Sequence, residues 1–131
     1  MAKITEDYVS FETAKLLKEK GFEGYSIITI YDENAASAYI KGLQEKHLPY
    51  SSDDPKLKEF YYTRPTLQMA CKWLREIHNI DIIPFHEKLP NDCYWCRIEK
   101  YPYIEYIQEP IYKKYEESLD AAIKYCLKHS I

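Results

Sequence analysis

The chain has 131 residues, the length of one ordinary domain, and its 46% hydrophobic and 30% charged residues exclude the disordered, fibrous and membrane-spanning classes. Its formal net charge is -3, with lysines dispersed among glutamates and aspartates, so no polybasic footprint for nucleic acid or anionic lipid is present. Aromatic content reaches 15% through fourteen tyrosines, a residue suited to half-buried sheet faces and to contact surfaces.

The opening residues become acidic at Glu6 and Asp7, where a secretory leader needs a basic start and an apolar run, so a cytoplasmic location is expected. Ser10 is an N-cap for a helix over residues 11–20, with Phe11, Ala14, Leu16 and Leu17 on one face and Gly21 as the stop. Residues 25–31, Tyr-Ser-Ile-Ile-Thr-Ile-Tyr, are β-branched and aromatic and predict a central, well-buried strand. Residues 34–62 carry conflicting signals, a helix over 35–47 competing with a short strand at 38–40, and form an insert of undefined structure. Thr66 then opens a second principal helix in which Leu67, Ala70, Trp73, Leu74 and Ile77 recur at three- and four-residue spacing, with Trp73 as its anchor.

Three β-prone runs follow, at 80–87, 94–100 and 103–108, separated by Leu89-Pro90-Asn91-Asp92 and Tyr101-Pro102, and they predict an antiparallel meander. Pro84 assigns the first run to an edge or a bulge. Tyr115, Leu119, Ala122, Ile123, Cys126 and Leu127 define a third principal helix laid across the meander. The whole is a single domain over residues 1–131, an α+β fold with three helices packed on an antiparallel sheet, and Trp73, Leu74, Ile77, Leu119, Ile123 and Leu127 are its expected core.

Three segments, Tyr8-Val9-Ser10-Phe11-Glu12-Thr13-Ala14-Lys15-Leu16-Leu17-Lys18-Glu19-Lys20-Gly21-Phe22, Pro65-Thr66-Leu67-Gln68-Met69-Ala70-Cys71-Lys72-Trp73-Leu74-Arg75-Glu76 and Tyr115-Glu116-Glu117-Ser118-Leu119-Asp120-Ala121-Ala122-Ile123-Lys124-Tyr125-Cys126-Leu127, resemble a family of small uncharacterised proteins encoded by gut Bacteroides-type bacteria and their phages. The chain departs from that pattern at Leu67, where a glutamine is usual, and in its long region between Tyr31 and Pro65. The resemblance implies a phage or mobile-element setting and a cytoplasmic location, and it brings no catalytic or binding residues with it.

Cys93-Tyr94-Trp95-Cys96 has the spacing of a redox dithiol or of half a zinc site. In a strand, however, residues three apart point to opposite faces, and no helix start or glycine turn accompanies the pair. His86, Cys93 and Cys96 are therefore the first ligands to test, but packing is the expected role, with no structural metal and no disulfide. His86-Glu87 lacks the intervening residue of a deaminase H-x-E, and His47, His78 and His129 stand alone. Only three glycines occur, which excludes a phosphate-cradling loop. No catalytic residue and no cofactor is assigned. The expected function is a non-catalytic module that binds a protein partner, with homo-oligomers allowed and no membrane contact. The alternative is single-stranded nucleic-acid binding through an aromatic sheet face carrying Tyr94, Tyr103 and Arg97.

Overall fold

In the computed structural model, which describes residues 7–23, 29–49 and 54–131 without the side chains of Thr29 and Ile30, Ser10 caps the first helix. Its hydroxyl accepts from the Thr13 N–H at 3.3 Å, meeting one of the donors that a helix start leaves bare. Helix α1 (Phe11–Glu19) ends before Gly21, whose φ of +85° is open to a residue without Cβ. The segment before α1 is held by Val9 N–H on the Pro65 carbonyl at 3.0 Å and by Leu67 N–H on the Asp7 carbonyl at 2.9 Å.

The central strand expected over residues 25–31 is corrected. Residues 25–28 lie outside the described residues, and β1 (Thr29–Tyr31) pairs with β2 (Tyr61–Thr63) in a separate two-stranded antiparallel sheet. A β-branched and aromatic run favours an extended, half-buried backbone and says nothing about how many neighbours it will have. The described part of the insert forms helix α2 (Glu33–Glu45), a 3-10 stretch (Pro55–Phe60) and β2, so the described residues hold four α-helices where three principal ones were expected. Asp32 tips the balance towards helix, because its carboxylate accepts from the Ala35 N–H at 3.1 Å. Of this helix only Ala36 is fully buried, and it packs on the 3-10 stretch. There the Tyr39 hydroxyl donates to Asp54 at 2.8 Å and its ring lies 6.0 Å from Phe60.

Thr66 caps α3 (Leu67–His78) by accepting from Met69 N–H at 3.1 Å, and Asn79 closes it in the left-handed conformation. Leu67, Ala70 and Leu74 are buried, but the expected core positions Trp73 and Ile77 need correction: Trp73 is half-buried and Ile77 is 65% exposed. At about 100° per residue, His78 rather than Ile77 falls over Leu74, which leaves Ile77 on the flank of the stripe. Trp73 shares that flank and is covered by the edges of Phe22 at 5.5 Å and His78 at 4.6 Å.

The meander forms as expected, with β3 (Ile80–Glu87), β4 (Cys93–Lys100) and β5 (Tyr103–Ile107) antiparallel in that order. A bulge between Ile98 and Glu99 shifts the β4–β5 register by one residue. Beyond it, Gln108 supplies both its peptide group and its side chain to the sheet. Its N–H donates to the Cys96 carbonyl at 3.0 Å, its Oε1 accepts from the Cys96 N–H at 2.8 Å, and its Nε2 donates to the Ser118 carbonyl at 3.0 Å. Gln108→Leu would leave the Cys96 N–H buried without an acceptor, and is expected to lose about 1–3 kcal/mol of stability in urea denaturation. A change below about 0.5 kcal/mol would mean that this amide is not part of the ladder.

The same bonds fix the position of Pro84. Both backbone groups of Cys96 point towards Gln108, so the facing Pro84–Cys96 pair makes no ladder bond, and the nitrogen of Pro84 points away from β4 at the free edge of the sheet. Pro84 therefore removes no bond from the ladder, in agreement with its expected edge position.

Helix α4 (Tyr115–His129) lies over β4 and β3 and also touches α1 and α3. Asp120 accepts from the Ser10 N–H at 2.9 Å, and Lys124 meets Glu12 at 2.6 Å. The main core joins Val9, Ala14 and Leu17 to Leu67, Ala70 and Leu74, to Ile80, Cys96 and Ile98, and to Leu119, Ala122, Ile123, Cys126 and Leu127. All of its helical members come from α1, α3 and α4, the three helices legible from spacing.

Candidate interaction surface

Alternation along the meander divides its side chains between two faces. Ile80 and Ile82 on β3, Cys96 and Ile98 on β4, and Tyr106 on β5 belong to the core with the helices, and Tyr106 stacks on Tyr125 of α4 at 4.0 Å. The residues between them occupy the other face, where the cross-strand register sets them in rows: Asp81, Glu99 and Ile104, then Ile83, Arg97 and Ile107, then Phe85 with Trp95, then Glu87 with Cys93. The helices that pack on this sheet, α3 and α4, both lie on the first face.

The middle of the second face is an apolar ridge that includes the cation of Arg97. Phe85 and Trp95 are stacked at 4.3 Å with their planes 12° apart. The Arg97 guanidinium lies over Phe85 at 5.4 Å, and its Nε is 3.0 Å from Glu99 Oε1. That Nε is buried and off the line of a hydrogen bond, so the contact is an ion pair without a directed N–H···O bond. Both side chains remain 34% exposed. Ile104 and Ile107 are 56% and 54% exposed beside them. A half-exposed stacked pair with an arginine on its edge and two isoleucines in solvent is the composition of an interface core.

The structure divides the residues named for nucleic-acid binding. Arg97 is on the helix-free face, whereas Tyr94 is on the helix side, stacked on His86 at 4.2 Å with its edge 6.2 Å from Tyr115. Tyr103 is 71% exposed at the start of β5, opposite Lys100. These three do not share a surface, and the aromatic pair beside Arg97 is Phe85 with Trp95; Trp95 is among the aromatics that the sequence puts on the meander, and Phe85 is the one it does not point to. The shared parity of Trp95 and Arg97 was the available signal.

The proposed ligand set is divided too. Cys93 and Cys96 project to opposite faces, Cys93 towards Glu87 at 3.8 Å and Cys96 towards the Ser118 hydroxyl at 3.8 Å. His86 Nε2 is engaged by Asp92 at 2.7 Å. Burial raises both thiols, reinforced at Cys93 by the carboxylate of Glu87 and eased at Cys96 by Ser118. Among the described residues no three His, Cys, Asp or Glu side chains converge on one point. The four cysteines are free thiols.

Among the described residues, two clefts lie away from the meander. One of about 210 Å³ is lined by Lys18, Phe22, Tyr61 and Thr63, the other of about 230 Å³ by Glu12, Lys15, Leu16, Glu19 and Lys128. Both are smaller than ordinary small-molecule sites. In the first, the Lys18 ammonium already donates to the carbonyls of Glu59 at 2.6 Å and Tyr61 at 2.9 Å and lies 4.6 Å from the Tyr62 ring, which makes it a structural clamp. Among the described residues, no helix is long and apolar enough to cross a membrane.

No protein-family model matches the chain, and searches of curated proteins and of solved structures found no match.

Proposed function

We propose that this protein is a non-catalytic interaction module that docks a protein partner on the helix-free face of the meander. The observation that carries this reading is the ridge of Ile83, Phe85, Trp95, Arg97, Ile104 and Ile107, on the face opposite the one that the described helices α3 and α4 pack on. Of eleven exposed large hydrophobic residues among the described ones, six (Leu89, Tyr101, Tyr103, Ile104, Ile107 and Ile111) belong to the meander or its flanking loops, so their solvent-facing apolar surface is concentrated there. Asp81, Glu87 and Glu99 border the ridge and outnumber the cations near it, Arg97 within it and Lys113 beside Cys93, a balance that weighs against the nucleic-acid alternative. The family resemblance is in keeping with a partner met in a phage or mobile-element setting.

Photo-crosslinking tests the surface. A benzoylphenylalanine in place of Ile107 is expected to form protein adducts in the host cell. The same group in place of Ile77, at least as exposed on α3, is expected to form none. Equal adducts from both positions, or none from either, would overturn the reading. A single-stranded oligonucleotide retained at low salt and released steeply towards physiological salt would favour the alternative.

A further inference from the structure

A partner of the meander has to lie on its face, because both edges of the sheet resist an added strand. The free edge of β3 has no N–H to offer at Pro84. On β5 the register passes from Ile98–Tyr106 to Glu99–Ile104, so Glu105 is the extra residue of the bulge and interrupts the outer edge of a five-residue strand. Size narrows the occupant further. The ridge offers six residues, Ile83, Phe85, Trp95, Arg97, Ile104 and Ile107, where an interface between folded domains takes about 20–30 a side. Three strands side by side span about 10 Å, the width of one α-helix. The rows from Ile104 to Phe85 and Trp95 span about 13 Å along the strands, the rise of about nine helical residues. One helix laid along the strands covers the ridge with a single apolar stripe at i, i+3 or i+4, and i+7.

Charge adds a requirement at one end. Asp81 and Glu99 face each other directly across β3 and β4, where like charges repel. Glu99 lies 3.0 Å from Arg97 in the next row, so those two charges meet within the chain. The carboxylate of Asp81 is exposed and has no partner among the described residues. At the other end of β3, Glu87 accepts from the Cys93 thiol at 3.8 Å, and Lys113 is close to the same thiol. The uncompensated negative charge is therefore at the Asp81 end. We infer that the ridge receives one amphipathic α-helix of a protein partner, laid along the strands with its apolar stripe on Ile83, Phe85, Trp95, Ile104 and Ile107 and a lysine or arginine over Asp81; this rests on the reading of the face as a docking surface. The incoming cation also relieves the repulsion between Asp81 and Glu99, and Arg97, already paired and lying over Phe85, asks nothing of the partner.

The adduct formed through benzoylphenylalanine in place of Ile107 in the full chain, digested and sequenced by mass spectrometry, tests the inference. The joined segment is expected to run about nine residues without proline, with apolar residues at helical spacing and a lysine or arginine in the turn at one end. A synthetic peptide of that segment is expected to gain helical circular dichroism on binding the purified chain. In fluorescence anisotropy at about 50 mM salt, Asp81→Asn is expected to weaken binding about 3-fold and Asp81→Lys about 10-fold, the effect of one exposed ion pair lost or reversed. Glu76→Lys, on α3 across the sheet, is expected to stay within about 2-fold of wild type. At about 0.5 M salt the Asp81→Lys chain is expected to bind within about 2-fold of wild type, because exposed pairs are screened, whereas an unfolded variant would not recover. A joined segment that binds without gaining helix, an adduct with a second copy of this chain, or a dissociation constant indifferent to Asp81→Lys would each overturn the helix and leave the docking surface standing. If no adduct forms through position 107, both fail.

Discussion

Ile123→Ala is expected to destabilise the protein by about 3–5 kcal/mol, the upper part of the range for truncating a fully buried isoleucine. The side chain has no exposed surface and lies in the middle of α4, the helix that touches β3, β4, α1 and α3. A cavity here is bounded by four elements held to one another by Ser10–Asp120, Glu12–Lys124 and the Gln108 bonds, so relaxation into it is restricted. Ile77→Ala provides the contrast: at 65% exposure its loss should lie within about 0.5 kcal/mol. Chemical denaturation of the two variants checks both values. A loss below about 1 kcal/mol at Ile123 would place α4 outside the core.

A second large effect is expected in alkali. Burial pushes the thiols of Cys71 and Cys126 up to about 12 from an ordinary value near 9, and the neighbouring buried thiols act in the same direction. A thiol raised in this way stays protonated in the folded chain while the unfolded chain loses its proton. Its contribution is complete below about pH 9 and disappears as pH rises towards 12. Within that window each thiol lowers stability by about 1.4 kcal/mol per pH unit, so the pair contributes a slope of about 2.7 kcal/mol per unit. Tyrosines add to the alkaline slope, among them Tyr39, whose hydroxyl is raised by its bond to Asp54, and Tyr112, raised by burial. The double variant Cys71→Ala/Cys126→Ala isolates the thiols: its urea midpoint should fall less steeply with pH than the wild type's above pH 9. Superimposable slopes would show that the two sulfurs are not buried together.

Signals confined to one helical turn or one hairpin were legible in the sequence. Ser10 and Thr66 as caps, Gly21 as a stop, the apolar stripe of α4 and the three meander strands each depend on residues close in the chain, and all are found where the pattern put them. What was misread depends on neighbours distant in sequence. Trp73 and Ile77 occupy the same flank of α3, and only the presence of Phe22 over one and of solvent over the other separates them. The strand ending at Tyr31 has the composition of a sheet centre, but its described part finds β2 from within the insert rather than the meander. On β4 both parities carry apolar residues, Tyr94, Cys96 and Ile98 on one and Cys93 and Trp95 on the other, so periodicity alone does not say which face α4 takes. The Phe85–Trp95 stack was hidden for a related reason: the two residues are ten apart, and they meet only once the β3–β4 register is fixed.

The ring of Pro84 gives the two surfaces of the meander different fates. A stranger's backbone approaching along β3 to extend the sheet would find a missing donor at the middle of its first row of partners, and fibrillar growth by addition of successive chains would stall at that step. The apolar ridge can therefore remain in water at high protein concentration without the molecule becoming a seed. The residue that protects the edge lies beside the ridge rather than within it.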